Sequence, residues 1–531
     1  MLDPRSPRAR ARLASTGLLV VMVGVAAPAR AESSPEPASS TSSPSQPAAP
    51  RSSPDEYQPQ IVGEGSGWKL TVPVEVAGRA EAVSAFPVDA AGHDFSNGVA
   101  LSPRLRVGAR LETVKPLGDA VMLFGEYEQD LPTGTWTSRD PIAGDGMPNS
   151  DSIDTRLRKG WGRVSFGRHL HVGGGFMTSH WGLGLVANDG AHGWRPGSAA
   201  FTDPRGGDLV LRGFVATGPL TDAHLFALLA VDQVRRDETL LDGDSARQFV
   251  GSVLIGYEQP VQAGFFMVRR HQTTADGSTL DVTVIDPAGK AELALDALGA
   301  TLGLEAEGAL VMGHTTLGAT PEIPQSNVRQ VGGALRSSLA FERVGGVLDL
   351  TYASGDASLH DSKLTGFKAD PAFESGLLLF RYVGAAQSAR AVATASDPML
   401  AARPPGGIER IPTRGSVTDA LVLFPRLWVR PLPALEAYGG ALFAFAPAKP
   451  VDPLNSDLVG GAPRNALGGE PGGYLGTELD LGARYRLYLH HTELELGAEG
   501  GLLLPGSALR DAAGSTPPAV YGGRLLLGYR L

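Results

Sequence analysis

The chain has 531 residues, no cysteine, 69 glycines, 40 prolines and a formal charge of −10. The acidity argues against a nucleic-acid partner, since phosphate binding needs a basic surface, and the lack of cysteine excludes a disulfide framework. Length alone allows two or three soluble domains or one large barrel.

At the N-terminus, Arg5, Arg8, Arg10 and Arg12 precede a short apolar core over residues 16–27 and a small-x-small cleavage site at Ala29-Arg30-Ala31. This pattern predicts a cleaved signal peptide, residues 1–31, whose core is too short to anchor in a bilayer. Removing its five Arg and one Asp leaves 41 basic against 55 acidic residues, a charge of −14. Residues 32–66 are Ser/Pro-rich, lack periodicity and read as a disordered periplasmic linker. No later stretch is long and apolar enough for a transmembrane helix. The remaining membrane option for an exported chain is a closed β-barrel, here residues 67–531, because only helices and closed barrels pair every backbone group in lipid.

Period-two alternation predicts eighteen strands, at 68–77, 99–112, 119–131, 162–172, 176–186, 208–216, 222–233, 246–257, 261–271, 291–298, 302–313, 328–342, 347–353, 420–429, 434–446, 474–489, 492–504 and 520–531. The last three are the clearest. Leu479, Leu481, Ala483, Tyr485 and Leu487 alternate with Glu478, Asp480, Arg484 and Arg486; Leu494, Leu496 and Ala498 with Glu493, Glu495 and Glu499; Tyr521, Leu525, Leu527, Tyr529 and Leu531 with Arg524 and Arg530. One face is apolar and the other carries bare charges. The predicted fold is therefore all-β, an antiparallel transmembrane β-barrel of about 18 strands (range 14–18), with short periplasmic turns alternating with long extracellular loops. The connection 354–418 stands out by its length and holds an apolar run, Gly376–Val383, expected to fold into the lumen or cap it.

Four segments carry a family resemblance: Gly167–Gly190 (GRHLHVGGGFMTSHWGLGLVANDG), Tyr352–Asp356 (YASGD), Asp370–Phe380 (DPAFESGLLLF) and Arg414–Pro431 (RGSVTDALVLFPRLWVRP). They resemble an uncharacterised family of outer-membrane β-barrel proteins found in myxobacteria. More distantly, the Tyr352–Asp356 motif is similar to alginate-export-type porins, which implies an eighteen-stranded channel conducting an anionic polysaccharide.

A barrel of this size leaves an aqueous lumen whose inward side chains set selectivity. The first candidate lumen set is Arg104, Arg106 and Arg110 beside Glu126, Glu128 and Asp130. The second is Arg484 and Arg486 facing Glu493, Glu495 and Glu499, with Arg486 expected close to Glu495. These sets read either as stiffening ion-pair ladders or as stripes that align an ionic or sugar solute. His169, His171 and His180 are expected on one face as a candidate Zn²⁺ or Cu²⁺ set, with a hydrogen-bonded polar cluster as the alternative. Trp181 reads as an interface-belt aromatic. No G-x-S-x-G, H-E-x-x-H or P-loop is present, and Ser179 and His180 are expected on opposite strand faces, so no enzyme or cofactor is expected. The expected function is an outer-membrane channel for a hydrophilic solute, a saccharide or polysaccharide being one candidate. The alternatives are an outer-membrane enzyme such as a lipid hydrolase, or a closed scaffold or adhesin barrel. The expected partners are outer-membrane lipids, the barrel-assembly machinery and the solute, in the outer membrane of a Gram-negative bacterium.

Overall fold

The computed structural model describes residues 61–531 apart from 66, 96–98, 114–120, 138–151, 203–206, 359–360, 396–411 and 490–491; the signal peptide and the linker up to residue 60 lie outside the described residues. Eighteen strands form the wall: β1 (Val74–Val83), β2 (Ala100–Thr113), β3 (Val121–Thr137), β4 (Ser152–Phe166), β5 (Leu170–Met177), β6 (Leu209–Leu220), β7 (Leu225–Arg236), β8 (Ser245–Ile255), β9 (Val261–Thr273), β10 (Thr279–Leu295), β11 (Ala300–Thr315), β12 (Ser326–Ala340), β13 (Val344–Ala353), β14 (Ala420–Leu432), β15 (Leu435–Phe445), β16 (Tyr474–Leu489), β17 (Thr492–Pro505) and β18 (Val520–Arg530). The sheet contains 21 strands; the other three, Ile61–Gly65, Trp68–Thr71 and Lys363–Leu364, are short appendages to the wall. Each wall strand pairs antiparallel with its neighbours in chain order. β18 returns to β1 in register from Gly522↔Val83 to Arg530↔Glu75, which closes the barrel and leaves no edge. Val74 and Leu531 exchange both backbone hydrogen bonds, at 3.0 and 2.9 Å, so the two ends of the wall meet at one rim.

Alternation decides which side chain faces lipid. Leu229, Leu427 and Leu481 are more than 70% exposed on the outer surface, and Tyr521 and Leu525 follow at 64%. Their chain neighbours Arg426, Asp480 and Arg524 are buried inside. Such an apolar exterior around a polar interior marks a transmembrane barrel. Among the described residues no helix is long and apolar enough to cross a membrane. Connections at the rim that holds the chain ends are short, as at 167–169, 221–224 and 433–434, while the opposite rim carries the long segments 178–208, 354–419 and 446–473. Near that opposite rim the exterior is uneven. Arg235, Arg247, Arg269, His271 and Arg329 project outward from β7, β8, β9 and β12, and the register sets Arg247, His271, Asp281 and His314 in one row. The other half of the wall presents Tyr352, Leu421, Phe445 and Tyr521 instead.

The structure corrects several predicted strands. Those expected at 162–172 and 176–186 are β4 and β5, shifted toward the N-terminus, and the chain leaves the wall after Met177. Gly182 (φ 56°) and Gly184 (φ 81°) are left-handed and cannot continue a strand. Trp181 accordingly lies inside the barrel, 6% exposed, with its ring 5.6 Å from Phe266, and not in an interface belt. The strand expected at 291–298 is the end of β10, which begins at Thr279; Asp286 and Pro287 interrupt its pairing with β11 between Ile285↔Leu310 and Ala288↔Glu307 and hide its first half from a pattern search. Pro73 separates Trp68–Thr71 from β1 within the expected strand 68–77. The end of the expected linker, Ile61–Gly65, is paired to Trp68–Thr71. The run Gly376–Val383 does not cross the membrane. It leads through a π-helical turn, Leu379–Gly384, into α1 (Ala385–Ala395), and residues 377–383 are buried within the barrel.

Charge placed on the outer wall should cost according to depth. Leu481→Arg, midway along β16, should destabilise the barrel by about 2–4 kcal/mol, and Leu489→Arg, at the rim, by about 0–1 kcal/mol. Equilibrium unfolding in lipid vesicles measures both; equal costs would contradict the assigned belt.

Candidate functional site

The first charged set lies inside the wall as alternation requires, but its pairing is not a simple face-off. Arg106 grips Asp130 with two hydrogen bonds, 2.6 and 3.0 Å, and lies 3.7 Å from Glu128. Arg104 turns the other way, to Glu75 on β1 at 2.7 Å. Arg110 stacks over Phe124, 5.0 Å from the ring centroid, and reaches Glu112. Glu126 and Glu128 are drawn toward β4: Glu126 accepts from Lys159 and Trp161, and Glu128 from Arg158 at 2.7 Å.

In the second set Arg486 stands opposite Glu495 in register, yet the ion pairs run diagonally. Arg484 reaches both Glu495 and Glu499, and Arg486 approaches Glu493 at 3.8 Å. Glu499 also accepts from Arg524 and Tyr438. The indole of Trp194, from the connection 178–208, packs against the guanidinium groups of Arg484 and Arg486 at 5.4 and 5.3 Å. Between Trp194 and the wall lies a cavity of about 430 Å³, lined by Arg104, Arg106, Glu128, Arg195, Arg484 and Glu495. The structure therefore brings members of both predicted sets to one space in the half of the lumen nearer the chain ends. Arg110, Glu126, Arg486, Glu493 and Glu499 stand outside its lining.

Residues that pattern-reading did not single out hold the lumen contents. Glu307 on β11 accepts backbone N–H groups of Leu183, Leu185 and Val186 at 2.5–3.3 Å. Glu478 on β16 does the same for Leu377, Leu378 and Leu379 of the long connection. Glu436 accepts from the N–H of Gly197. Arginines hold the carbonyls: Arg158 binds that of Asp189, Arg426 that of Ala199 and Arg524 that of Phe201. Irregular backbone inside a barrel needs such partners, since buried N–H and C=O groups are costly when unpaired. The available signal was a carboxylate at an inward position of a strand, such as Glu307 beside Glu305 between Leu304 and Leu310.

The predicted histidine set is not assembled. His169 lies in the turn before β5, at the rim with the chain ends. His171 is on β5 with both ring nitrogens engaged, by Ser165 and the Gly218 carbonyl, each at 2.8 Å. His180 lies beyond the other end of β5, inside the lumen, where its ring stacks on His192 at 3.7 Å. The cause is the same early end of the strand that moved Trp181. Burial, then the neighbouring His192, lowers the His180 pKa to about 4. Burial works against ionised Asp189, but the hydrogen bond to His192, the charges of His192 and His180 and the Ala191 N–H together outweigh it and hold the carboxyl well below the usual carboxylate range. Ser179, the chain neighbour of His180, accepts from Arg212 at 3.1 Å.

A second cavity, about 370 Å³, opens toward the rim of long connections between residues 354–419 and 446–473. Leu379, Phe380 and Val383 line it together with Gln330, Asp419 and Lys368. Burial raises the Asp419 pKa to about 7, against a hydrogen bond from the Ala448 N–H. Burial and the nearby Arg414 lower that of Lys368 to about 7.

No family model matches the chain, and no curated protein matches it. Solved structures similar to it include Pseudomonas aeruginosa OccK9 (OpdG), at 12% identity, covering 87% of this chain and 98% of that one with a TM-score of 0.49. Acinetobacter baumannii OccAB4 follows at 8% identity, 90% and 100% coverage and a TM-score of 0.47. P. aeruginosa OccK2 (OpdF) has 11% identity, 87% and 97% coverage and a TM-score of 0.46. The barrel assignment rests on the chain's own strand pairing.

Glu307→Ala or Glu478→Ala should each cost about 3 kcal/mol or more, because three buried N–H groups lose their acceptor. Denaturant unfolding measures the loss, and limited proteolysis should cut within 178–208 or 354–419 respectively. A second outcome concerns pH. The Asp419 carboxyl is raised to about 7 in the folded protein from an ordinary value of 3.8. Its stabilising contribution is therefore full below about pH 4 and lost as pH rises to about 7. Protease resistance of the outer connections should fall across that window, and Asp419→Asn, which keeps the acceptor for Ala448, should flatten the fall.

Proposed function

We propose that this chain is an outer-membrane channel for hydrophilic solutes, with saccharides and polysaccharides among the candidates. The carrying observation is the charged cavity beneath the connection 178–208, walled by strands that also form the lipid-facing belt. Conduction is passive. A polar solute meets Arg104, Arg106 and Arg484 together with Glu128 and Glu495, so its own donors and acceptors exchange water for wall contacts. The charges are already paired with each other and need no large reorganisation to present a polar track. The two internal connections set the constriction. The chain ends lie at the periplasmic rim, in the outer membrane of a Gram-negative bacterium, after export by the segment 1–31 and insertion by the barrel-assembly machinery. The myxobacterial and alginate-export-type resemblances belong to the same reading.

One observation favours a second reading, a barrel closed at rest. Leu185, Val186, Phe201, Leu378 and Phe380 are all buried in the lumen contents. Planar-bilayer recording separates the two. The channel reading expects stepwise conductance from the refolded chain, increased several-fold when residues 356–417 are replaced by a short Gly/Ser linker. A seal that stays tight in both proteins would refute it. Within an open channel, Arg104→Glu with Arg484→Glu should shift ion preference toward cations.

A further inference from the structure

We propose that His180, Asp189 and His192 form a binding site for a divalent transition-metal cation, Zn²⁺ or Cu²⁺, inside the lumen. The three residues sit on two limbs of the connection 178–208. The reversal between the limbs is built by left-handed Gly182 and Gly184 and held by the Trp181 N–H to the Ala187 carbonyl at 3.1 Å. A larger residue at Gly184 would meet the His180 ring, since a Cβ there would stand 2.9 Å from Cε1. The limbs are thereby brought close enough for the two imidazoles to stack, with centroids 3.7 Å apart and planes inclined by 21°. Asp189 completes the set: its Oδ1 lies 2.9 Å from His192 Nδ1, and one donor atom from each residue falls within 4.8 Å of the others. An imidazole binds a metal through a lone pair in its ring plane, so the stacked rings must splay apart for both to reach one ion, whose two ligand nitrogens would lie roughly 3.4 Å from each other.

Two further features point to a ligand. His180 Nδ1 is buried and has no hydrogen-bond partner, which is unusual for an enclosed imidazole. Asp189 is also anchored behind the site, its Oδ1 accepting from the Ala191 N–H at 2.8 Å and its carbonyl held by Arg158 at 2.7 Å, as outer contacts fix metal ligands elsewhere. Two imidazoles and one carboxylate suit Zn²⁺ or Cu²⁺; Ca²⁺ and Mg²⁺ prefer all-oxygen sets. The nearby cationic groups, Arg158 and Arg195, act against binding. Arg158 is directed to Glu128 and the Asp189 carbonyl, and Arg195 lines the cavity below. A cation here joins the two limbs of the connection directly above the charged cavity.

The test uses the full chain refolded in lipid nanodiscs and titrated with Zn²⁺ by calorimetry. One ion per chain is expected, weakened at least about tenfold in His180→Ala, His192→Ala and Asp189→Asn but unchanged in the outer-wall variant His271→Ala. The wild-type protein alone gives a second readout. Bound Cu²⁺ should show nitrogen superhyperfine splitting from two imidazoles in its electron paramagnetic resonance spectrum. Absence of stoichiometric binding, binding that survives in the His180→Ala/His192→Ala double variant, or a Cu²⁺ spectrum without nitrogen ligands would overturn the proposal.

Discussion

Wall carboxylates that accept backbone N–H groups hold the inside of this barrel together. An eighteen-stranded wall is wide enough to enclose water, and here much of that space is taken by two irregular connections. Irregular backbone in an enclosed space carries donors and acceptors that no ladder pairs. Glu307, Glu478 and Glu436 take the donors, while Arg158, Arg426 and Arg524 supply the carbonyls with partners. Each contact joins a rigid strand to a connection that has left the wall. The apolar side chains between the anchors, such as Leu185 and Leu378, are then packed as a consequence.

The remaining interior charges follow from that occupancy. Where a connection presses on the wall, charges are paired and dry, as with Arg212 and Asp232 at 2.7 Å. Where it stands away, below Trp194, the same kinds of residue line a cavity. Thus Arg484 serves two environments: it pairs with Glu499 in the wall and borders the open space with Glu495. Breaking such a buried pair costs more than its net contribution, since the survivor is left unpaired. The track is therefore stiff as well as polar.

The wall was legible wherever one face had to meet lipid. Leu479, Leu481 and Tyr485 against Glu478, Asp480 and Arg484 specify both the strand and its orientation, because a one-residue slip would exchange the two faces. The reading failed where apolar residues alternate for another reason. Trp181, Leu183 and Leu185 mimic a strand, yet they pack inside the lumen, and the N–H groups of Leu183 and Leu185 have a carboxylate partner over a hundred residues away. Such a partner leaves no local mark. The histidines failed with that strand, since β5 ends at Met177, before His180. Asp286 and Pro287 hid the first half of β10 by the opposite route, placing a buried acid and a ladder break inside a genuine strand.

The long sequence separations of the anchors impose an order in time. Glu307 lies 122 positions after Leu185, Glu436 lies 239 after Gly197, and Glu478 lies 100 after Leu378. Contacts that close such wide loops form late, because the chain entropy they remove is recovered only when both ends are already held. The connection 178–208 therefore has no place to dock until β11 and β15 stand in the wall, and residues 377–379 have none until β16 does. During assembly the cylinder is hollow before it is filled, and the last strands to arrive carry the groups that furnish its interior.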